Sequence, residues 1–336
     1  MEEKKTVVPE EAAVQEEAAG KKKGLRGHLM TALKAVFLIL VFYFLGKYFY
    51  ENWDTIRTMD WSIDPMSIVL SFVFYFAYII TLASLWHYIT KLCGIGIGHF
   101  DAVIAYIYSI PGKYIPGKVF MLAARFPPYE RQGKPLRTVT VCFLLENICT
   151  LLGAAFLFLI SLFFFPNDLL DKYMWVTILL IAAFFICINP KIINFFLGIL
   201  GKLMKKDMSI PMTYPDMLRV VLFFICNWLV AGSGFYMLVH AIYPVPASQW
   251  LYIGGIYGLS TIIGILALFT PSGLGVREGI LMAGLLLIMP EEYAVTISVI
   301  SRIWQTVAEI LLVAGAFVVN QIVKAVRKRK QIQANE

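Results

Sequence analysis

Long apolar runs separated by short polar segments dominate the chain from residue 32 onward. Six of these runs approach the roughly 20 residues that a helix needs to cross a bilayer. They lie at about 32–50, 66–90, 137–165, 173–189, 216–242 and 294–322. Because 59% of the residues are hydrophobic and only 15% are charged, the composition is also that of a membrane protein. We predict an all-α polytopic integral membrane protein with about six full spans.

Two further apolar stretches are interrupted by proline and glycine. Residues 100–124 contain IPGKYIPGK, and residues 249–289 contain TPSGLGVREG. The first stretch is too short for two crossings, whereas the second fits either two crossings or a broken hairpin. We predict that both are re-entrant broken hairpins of opposite sense. The alternative is a protein with about eight spans.

Lysine and arginine are concentrated in particular segments, and this asymmetry orients the chain. Both termini and the loops at 125–137 and 190–215 are basic, so we place them on the inner side. The loop at 51–65 carries mainly carboxylates and is placed outside. The pattern predicts a multi-pass protein of the cytoplasmic (inner) membrane with both termini cytoplasmic. It also accounts for the net charge of +7, so we expect no nucleic-acid partner.

The apolar pattern divides the chain into three parts. Residues 1–24 have the composition of a disordered cytoplasmic tail, and residues 323–336 form a basic cytoplasmic tail. Residues 25–322 form the transmembrane domain. Within it, the halves at about 66–165 and 216–322 each consist of a span, a broken hairpin and a span.

The spacing of residues within the two halves supports an inverted repeat. Asn147 lies 31 residues after Pro116, and Arg302 lies 31 residues after Pro271. The two broken hairpins also have opposite predicted polarity. In transporters with inverted repeats, the substrate site lies where such broken helices meet.

The second broken stretch has the features of an anion site. Pro271 ends one helical segment, and Gly273 and Gly275 permit backbone conformations that other residues avoid. The helix that restarts at Val276 has unpaired N–H groups in its first turn, and Arg277 adds a positive charge. We predict that this segment lines a cavity and binds a phosphate group.

The first broken stretch has a comparable arrangement, in which a proline, a glycine and a lysine precede a short helix ending in an arginine. We expect the two segments to converge on one ligand. The predicted substrate-binding residues are Pro116, Gly117, Lys118, Arg125, Pro271, Gly273, Gly275, Arg277 and Glu278.

Several ionisable residues lie deep within the predicted spans, where each charge costs roughly 2.5 to 3.5 kcal/mol on insertion scales. Arg302 and Glu309 are two helical turns apart on one face, and Gln305 lies near that face. Glu146 and Asn147 occupy the matching place in the first half. We predict an intramembrane network of these five residues with a Glu146–Arg302 ion pair, serving either structure or the handling of substrate and protons.

No pattern in the sequence indicates catalysis. The chain has no GxxxxGK[ST] stretch, and its five cysteines lack CxxC spacing. We expect no metal, no cofactor, no catalytic residues and no enzymatic activity.

Two segments resemble a known family. PSGLGVREG (271–279) resembles the Pro-x-Gly-x-Gly-x-x-Glu signature of the lysylphosphatidylglycerol synthase transmembrane, or flippase-like, family. YIPGKVFMLAARF (114–126) is similar to its counterpart in the first half. The resemblance covers roughly residues 32–322. Ser272 and Asn147 depart from it, because glycine and arginine are expected there.

The resemblance implies a stand-alone membrane domain. Other members are fused to a soluble aminoacyl-transferase or to a glycosyltransferase, and in the fused lipid-lysylating proteins the domain is implicated in moving the product between leaflets. It assigns the motif to Pro271, Gly273, Gly275 and Glu278. Because only 323–336 follow the membrane domain, we expect that a separate lipid-modifying enzyme or glycosyltransferase makes the lipid.

These features predict translocation (flipping) of an anionic phospholipid or a polyprenyl-phosphate-linked lipid across the cytoplasmic membrane. The expected partners are membrane lipids with a phosphate head group. The alternative is a non-transporting membrane subunit that anchors or regulates a cell-envelope glycosyltransferase. An enzyme that transfers glycosyl or acyl groups is a third reading.

The orientation can be tested with single cysteines in a cysteine-free background. We expect Gln132→Cys and Lys205→Cys to be shielded from an impermeant thiol reagent added outside intact cells, because both lie in basic inner loops. Thr58→Cys, in the acidic loop, should be labelled. Labelling at position 132 from outside would contradict the inverted arrangement.

Overall fold

The protein is helical throughout the part of the chain that the computed structural model describes. That part comprises residues 63–114, 119–164, 169–203, 208–267, 273 and 275–335. The helices are α1 Pro65–Leu92, α2 His99–Ser109, α3 Val119–Arg125, α4 Pro127–Glu130, α5 Leu136–Ser161, α6 Leu169–Cys187, α7 Pro190–Leu203, α8 Tyr214–Ile242, α9 Trp250–Leu266, α10 Val276–Leu285 and α11 Glu291–Asn335. Short 3-10 turns lie at Ile110–Tyr114, Leu162–Phe164 and Ala247–Gln249.

The long helices confirm a polytopic membrane protein. Among the described residues, five helices are long and apolar enough to span a bilayer, or six if the bent α6–α7 pair counts as one span. Helices α1, α5, α8 and α11 confirm helical structure at four predicted spans. The predicted span at 32–50 and the tail at 1–24 lie outside the described residues.

Local sequence signals fix where the first long helix begins and ends. The Asp64 carboxylate accepts hydrogen bonds from the backbone N–H groups of Met66 and Ser67 at 3.1 and 3.2 Å, and Pro65 occupies the first turn. This is a strong N-terminal cap. At the other end, Gly94 has a φ of 74° and ends the helix.

The segment at 190–215 is not the simple loop that its charge predicts. Helix α7 occupies its first part and follows α6 after a bend of 72°. The Asn194 side chain accepts a hydrogen bond from the backbone N–H of Ile210 at 2.8 Å, which ties the following segment back onto α7. Phe195 and Phe196 are exposed on α7. The segment is therefore an amphipathic helix plus a short connection.

Each of the two interrupted stretches contains two helices separated by a break, α2 and α3 in the first and α9 and α10 in the second. Helix α10 has 10 residues and α2 has 11, so each is about 15 Å long, half of a hydrocarbon core. Helix α9 with its preceding turn is long enough to span by itself. Helix α10 is too short to cross back alone, and the choice between a broken hairpin and two complete spans at 249–289 stays a prediction. The re-entrant placement itself stays a prediction.

The element order is the same in both halves, since a long helix, a broken pair and a second long helix occur twice. The leading long helices, α1 and α8, share the most extensive contact among the helices that the structure describes. Helix α9 also packs closely against α5 and α8. The inverted symmetry of the halves stays a prediction.

Glycines allow a close crossing of α8 and α9. Gly232 of α8 faces Gly254 of α9, and a Cβ on Gly232 would lie 2.8 Å from the Gly254 Cα. Small residues at such crossings let two membrane helices pack backbone to backbone.

This crossing generates a stability prediction. Gly232→Ala places a methyl group against backbone, so we expect it to lower the free energy of unfolding by roughly 1 to 3 kcal/mol. Gly315→Ala is the matched control, because a Cβ there meets nothing within 4 Å. Thermal unfolding in detergent measures both variants. Equal melting temperatures for the two variants would show that the α8–α9 crossing accommodates the methyl group without loss of stability.

Candidate functional site

A cavity of about 710 Å³ lies between helices from both halves of the chain. Helices α1, α2, α3 and α5 of the first half and α8, α9, α10 and α11 of the second half line it. Most of the lining is apolar or aromatic. Among the described residues, the charged side chains that line the cavity are Lys113, Arg125, Glu146, Arg277 and Glu309.

The chain turns sharply just before α10, and glycines make this turn possible. Gly273 and Gly275 have φ angles of 71° and 82°, in the left-handed region that glycine tolerates. A Cβ on Gly273 would lie 2.6 Å from the Cα of Gly264 in α9. The turn therefore passes against the α9 backbone and directs the start of α10, with Arg277, toward the cavity.

Glu278 holds the start of α10 in place. One carboxylate oxygen accepts a hydrogen bond from the backbone N–H of Gly275 at 2.7 Å, and the other lies 3.5 Å from Arg302 Nε. The helix start already has a negative group beside it. The Arg277 side chain, rather than the helix start, is therefore the stronger candidate for binding an anion.

Arg277 is a buried cation with an unused donor. It is 6% exposed, its Nη1 donates a hydrogen bond to Gln305, and its guanidinium lies 4.7 Å from the centroid of the Tyr257 ring. It forms no salt bridge with any residue that the structure describes. The Arg277 Nε–H also has no hydrogen-bond partner among the described residues.

Gln305 connects Arg277 to a second charged group. Its side-chain amide donates to Glu309 at 2.9 Å, while its carbonyl accepts from Arg277. The same Glu309 oxygen accepts a hydrogen bond from the Tyr75 hydroxyl at 2.7 Å and pairs with Lys113. The result is a continuous polar network from α10 through α11 to the 110–114 turn and α1.

Arg125 is the most enclosed of the cations. Its Nη1 pairs with Glu146, its Nε donates to the Ser109 hydroxyl at 2.9 Å, and its guanidinium lies over the rings of Tyr106 and Trp86 at 4.1 and 4.7 Å. Only 1% of the residue is exposed. Because it pairs with Glu146 of α5 and donates to Ser109 of α2, Arg125 holds α3 against both helices.

The predicted Glu146–Arg302 ion pair is wrong. Glu146 pairs with Arg125, and Arg302 pairs with Glu278. In each half an ion pair joins the helix after the break to the next long helix. In the first half the short helix α3 carries the arginine, whereas in the second half the short helix α10 carries the glutamate. Glu309, two turns from Arg302, pairs instead with Lys113. Glu146 and Arg302 each pair with a residue of the short helix in their own half, on α3 and α10, and not with each other.

The other predicted site residues fall into two groups. Pro116, Gly117, Lys118 and Pro271 lie outside the described residues, so their roles stay predictions. Asn147 lines the cavity, and its side chain donates to the Phe143 carbonyl at 2.7 Å. The structure brings the following predicted residues into one cavity lining: Arg125, Glu146, Asn147, Arg277, Gln305 and Glu309.

Sequence reasoning missed Lys113 and the aromatic residues beside the charges. The signal for Lys113 was present, because IPGK occurs twice in succession, at 110–113 and at 115–118. The second copy contains the lysine that was predicted. Tyr75 and Tyr257 carry no such signal, since tyrosines are common near membrane interfaces.

The Arg125–Glu146 pair generates a stability prediction. Glu146→Leu leaves a buried cation without its partner, so we expect a loss of roughly 3 to 5 kcal/mol. The double variant Arg125→Met with Glu146→Leu should recover much of this loss, because an apolar pair needs no desolvation of charge. Thermal unfolding in detergent ranks the unmodified protein, the single variant and the double variant by melting temperature.

An exposed arginine provides the control for this comparison. Arg219→Met should change the melting temperature little, because Arg219 is largely exposed and lies 3.8 Å from Asp216 at the surface. Additive losses in the double variant would rule out a direct Arg125–Glu146 interaction.

Comparison with known proteins places this architecture in a family. The family model described as Lysylphosphatidylglycerol synthase TM region matches residues 30–313. A comparison with curated proteins gives no significant match. The matched range includes both broken helix pairs and every charged residue that lines the cavity. The chain therefore belongs to the Lysylphosphatidylglycerol synthase TM region family.

Proposed function

We propose that the chain binds anionic, phosphate-bearing lipids in this cavity and translocates them between the leaflets of the cytoplasmic membrane. The substrate class is a phospholipid or a polyprenyl-phosphate-linked lipid. The observation that carries the proposal is Arg277, a buried cation whose contacts in the described part of the cavity are a neutral amide and an aromatic ring.

The balance of charge in the cavity supports an anionic ligand. Among the described residues, three cations and two carboxylates line it, and Lys113 and Arg125 are each paired with one of the carboxylates. Arg277 has no salt-bridge partner among these residues, and the carboxylate of the adjacent Glu278 is paired with Arg302. A buried unpaired charge costs several kcal/mol, so a bound anion would relieve this penalty. A guanidinium also matches phosphate oxygens in a bidentate geometry.

The surroundings of Arg277 favour a lipid over a small soluble anion. The cavity lies between helices that are long and apolar enough to span a membrane. Ile79, Leu82 and Leu144 contribute apolar lining a short distance from the charged groups. A ligand with both a phosphate and hydrocarbon fits this combination.

We propose translocation without chemical change to the lipid. A separate lipid-modifying enzyme or glycosyltransferase would make the substrate. Each half of the chain contributes a broken helix pair that is tied to the next long helix by an ion pair. In transporters with such halves, movement of one half against the other exposes a central site alternately to the two sides.

Substitution of Arg277 tests the proposal. Arg277→Ala should weaken binding of phosphatidylglycerol about 10- to 100-fold, because it removes a charge-assisted contact to the phosphate, and should leave binding of diacylglycerol, which has no phosphate, unchanged. Native mass spectrometry with mixed lipids measures this ratio. In proteoliposomes containing fluorescent phosphatidylglycerol, the same variant should lose leaflet exchange, and Arg277→Lys should retain part of it.

Arg219→Ala is the matched control, since it removes an arginine that is exposed and far from the cavity lining. It should behave like the unmodified protein in both assays. If Arg277→Ala keeps both lipid preference and exchange, the proposal fails. If the unmodified protein binds anionic lipid but exchanges none, a non-transporting subunit of a glycosyltransferase becomes the better description.

A further inference from the structure

A second concave surface lies beside the cavity, on the outside of the helix bundle. This groove has a volume of about 790 Å³ and runs between α11 and the end of α2 with its following turn. Tyr108, Ile110 and Pro111 form one wall. On α11 the lining extends from Thr306 to Val318. Its surface is almost entirely apolar.

The groove and the cavity meet. Ile110 and Glu309 line both of them. Glu309 belongs to the polar network that reaches Arg277 through Gln305. A molecule with a charged end and an apolar chain could therefore occupy both spaces at once, with the charged end beside Arg277 and the chain in the groove.

The dimensions of the groove fit one lipid chain. Nine residues separate Glu309 from Val318 along α11, which corresponds to about 14 Å. This is about half of a hydrocarbon core of roughly 30 Å, the depth that one chain occupies in one leaflet. Ile310 and Val318 are 63% and 56% exposed, so the groove is open along its side.

We infer that this groove binds a hydrocarbon chain of the lipid whose phosphate contacts Arg277, an inference that rests on the proposed function. The chain lies along α11 from Glu309 toward Val318, outside the bundle, while the head group occupies the cavity. The substrate is thus a lipid with at least one long chain, and the chain does not pass through the centre of the protein.

A photoreactive lipid tests this inference. The probe is phosphatidylglycerol with a diazirine at the end of one acyl chain, added in slight molar excess to the full-length protein in detergent. After illumination, mass spectrometry of peptides locates the adducts. We expect them on residues 310–318 of α11 and around Tyr108. Adducts spread evenly over the exposed faces of α6 and α11 would overturn the inference.

Two neighbouring valines provide a matched pair of variants. Val318 lines the groove, whereas Val319 does not, and the two are 56% and 48% exposed. Val318→Trp should lower the yield of groove adducts at least tenfold, because the larger side chain fills the groove. Val319→Trp should leave the yield unchanged, and neither variant should alter the melting temperature. Equal yields in the two variants would overturn the inference.

Head-group binding is measured separately, with dihexanoyl-phosphatidylglycerol, whose chains are too short to fill the groove. If Arg277→Ala weakens binding of this short lipid but Val318→Trp does not change groove adducts, the inference fails and the proposed function stands. If Arg277→Ala has no effect on the short lipid, the proposed function fails. Loss of groove adducts in Arg277→Ala as well as in Val318→Trp is the result expected if both hold.

Discussion

Balancing charge inside the membrane is the constraint on which the rest of this structure depends. Each of three buried glutamates is paired with a cation from another element, and each pair fixes a short helix or turn against a long helix. The pairs are Arg125–Glu146, Glu278–Arg302 and Lys113–Glu309. Because a charge that lost its partner would be strongly destabilising, these pairs keep the broken segments inside the bundle. The cavity lies among these short segments and the long helices to which they are paired.

The broken helix pairs obey the same constraint for their backbone groups. A chain that turns inside a membrane must satisfy its N–H and C=O groups internally. Before α10, two glycines with positive φ shape the backbone, and the Glu278 carboxylate accepts a hydrogen bond from the Gly275 N–H. These contacts fix the start of α10, the helix that carries Arg277.

Much of the fold could be predicted from the sequence, because a membrane span needs a long apolar run and proline or glycine marks a break. Helix α7 was missed because its lysines suggested a loop, although its apolar residues recur with helical spacing. The deep charges were also identified, but their partners were not. Glu146 is 21 residues from Arg125, and only the folded positions of α3 and α5 show that these two meet. Lys113 was missed because the prediction used the lysine of the second IPGK copy, Lys118, and not that of the first.

The contact between Gly264 and Gly273 has a consequence for how the site can vary. Gly264 lines the cavity, and a Cβ on it would lie 3.3 Å from the Cβ of Arg277. The wall at this point consists of main chain, which has no alternative rotamers and cannot be resized by exchanging one side chain for another. The size of the cavity therefore varies only where side chains line it, at positions such as Asn147 and Thr150 of α5.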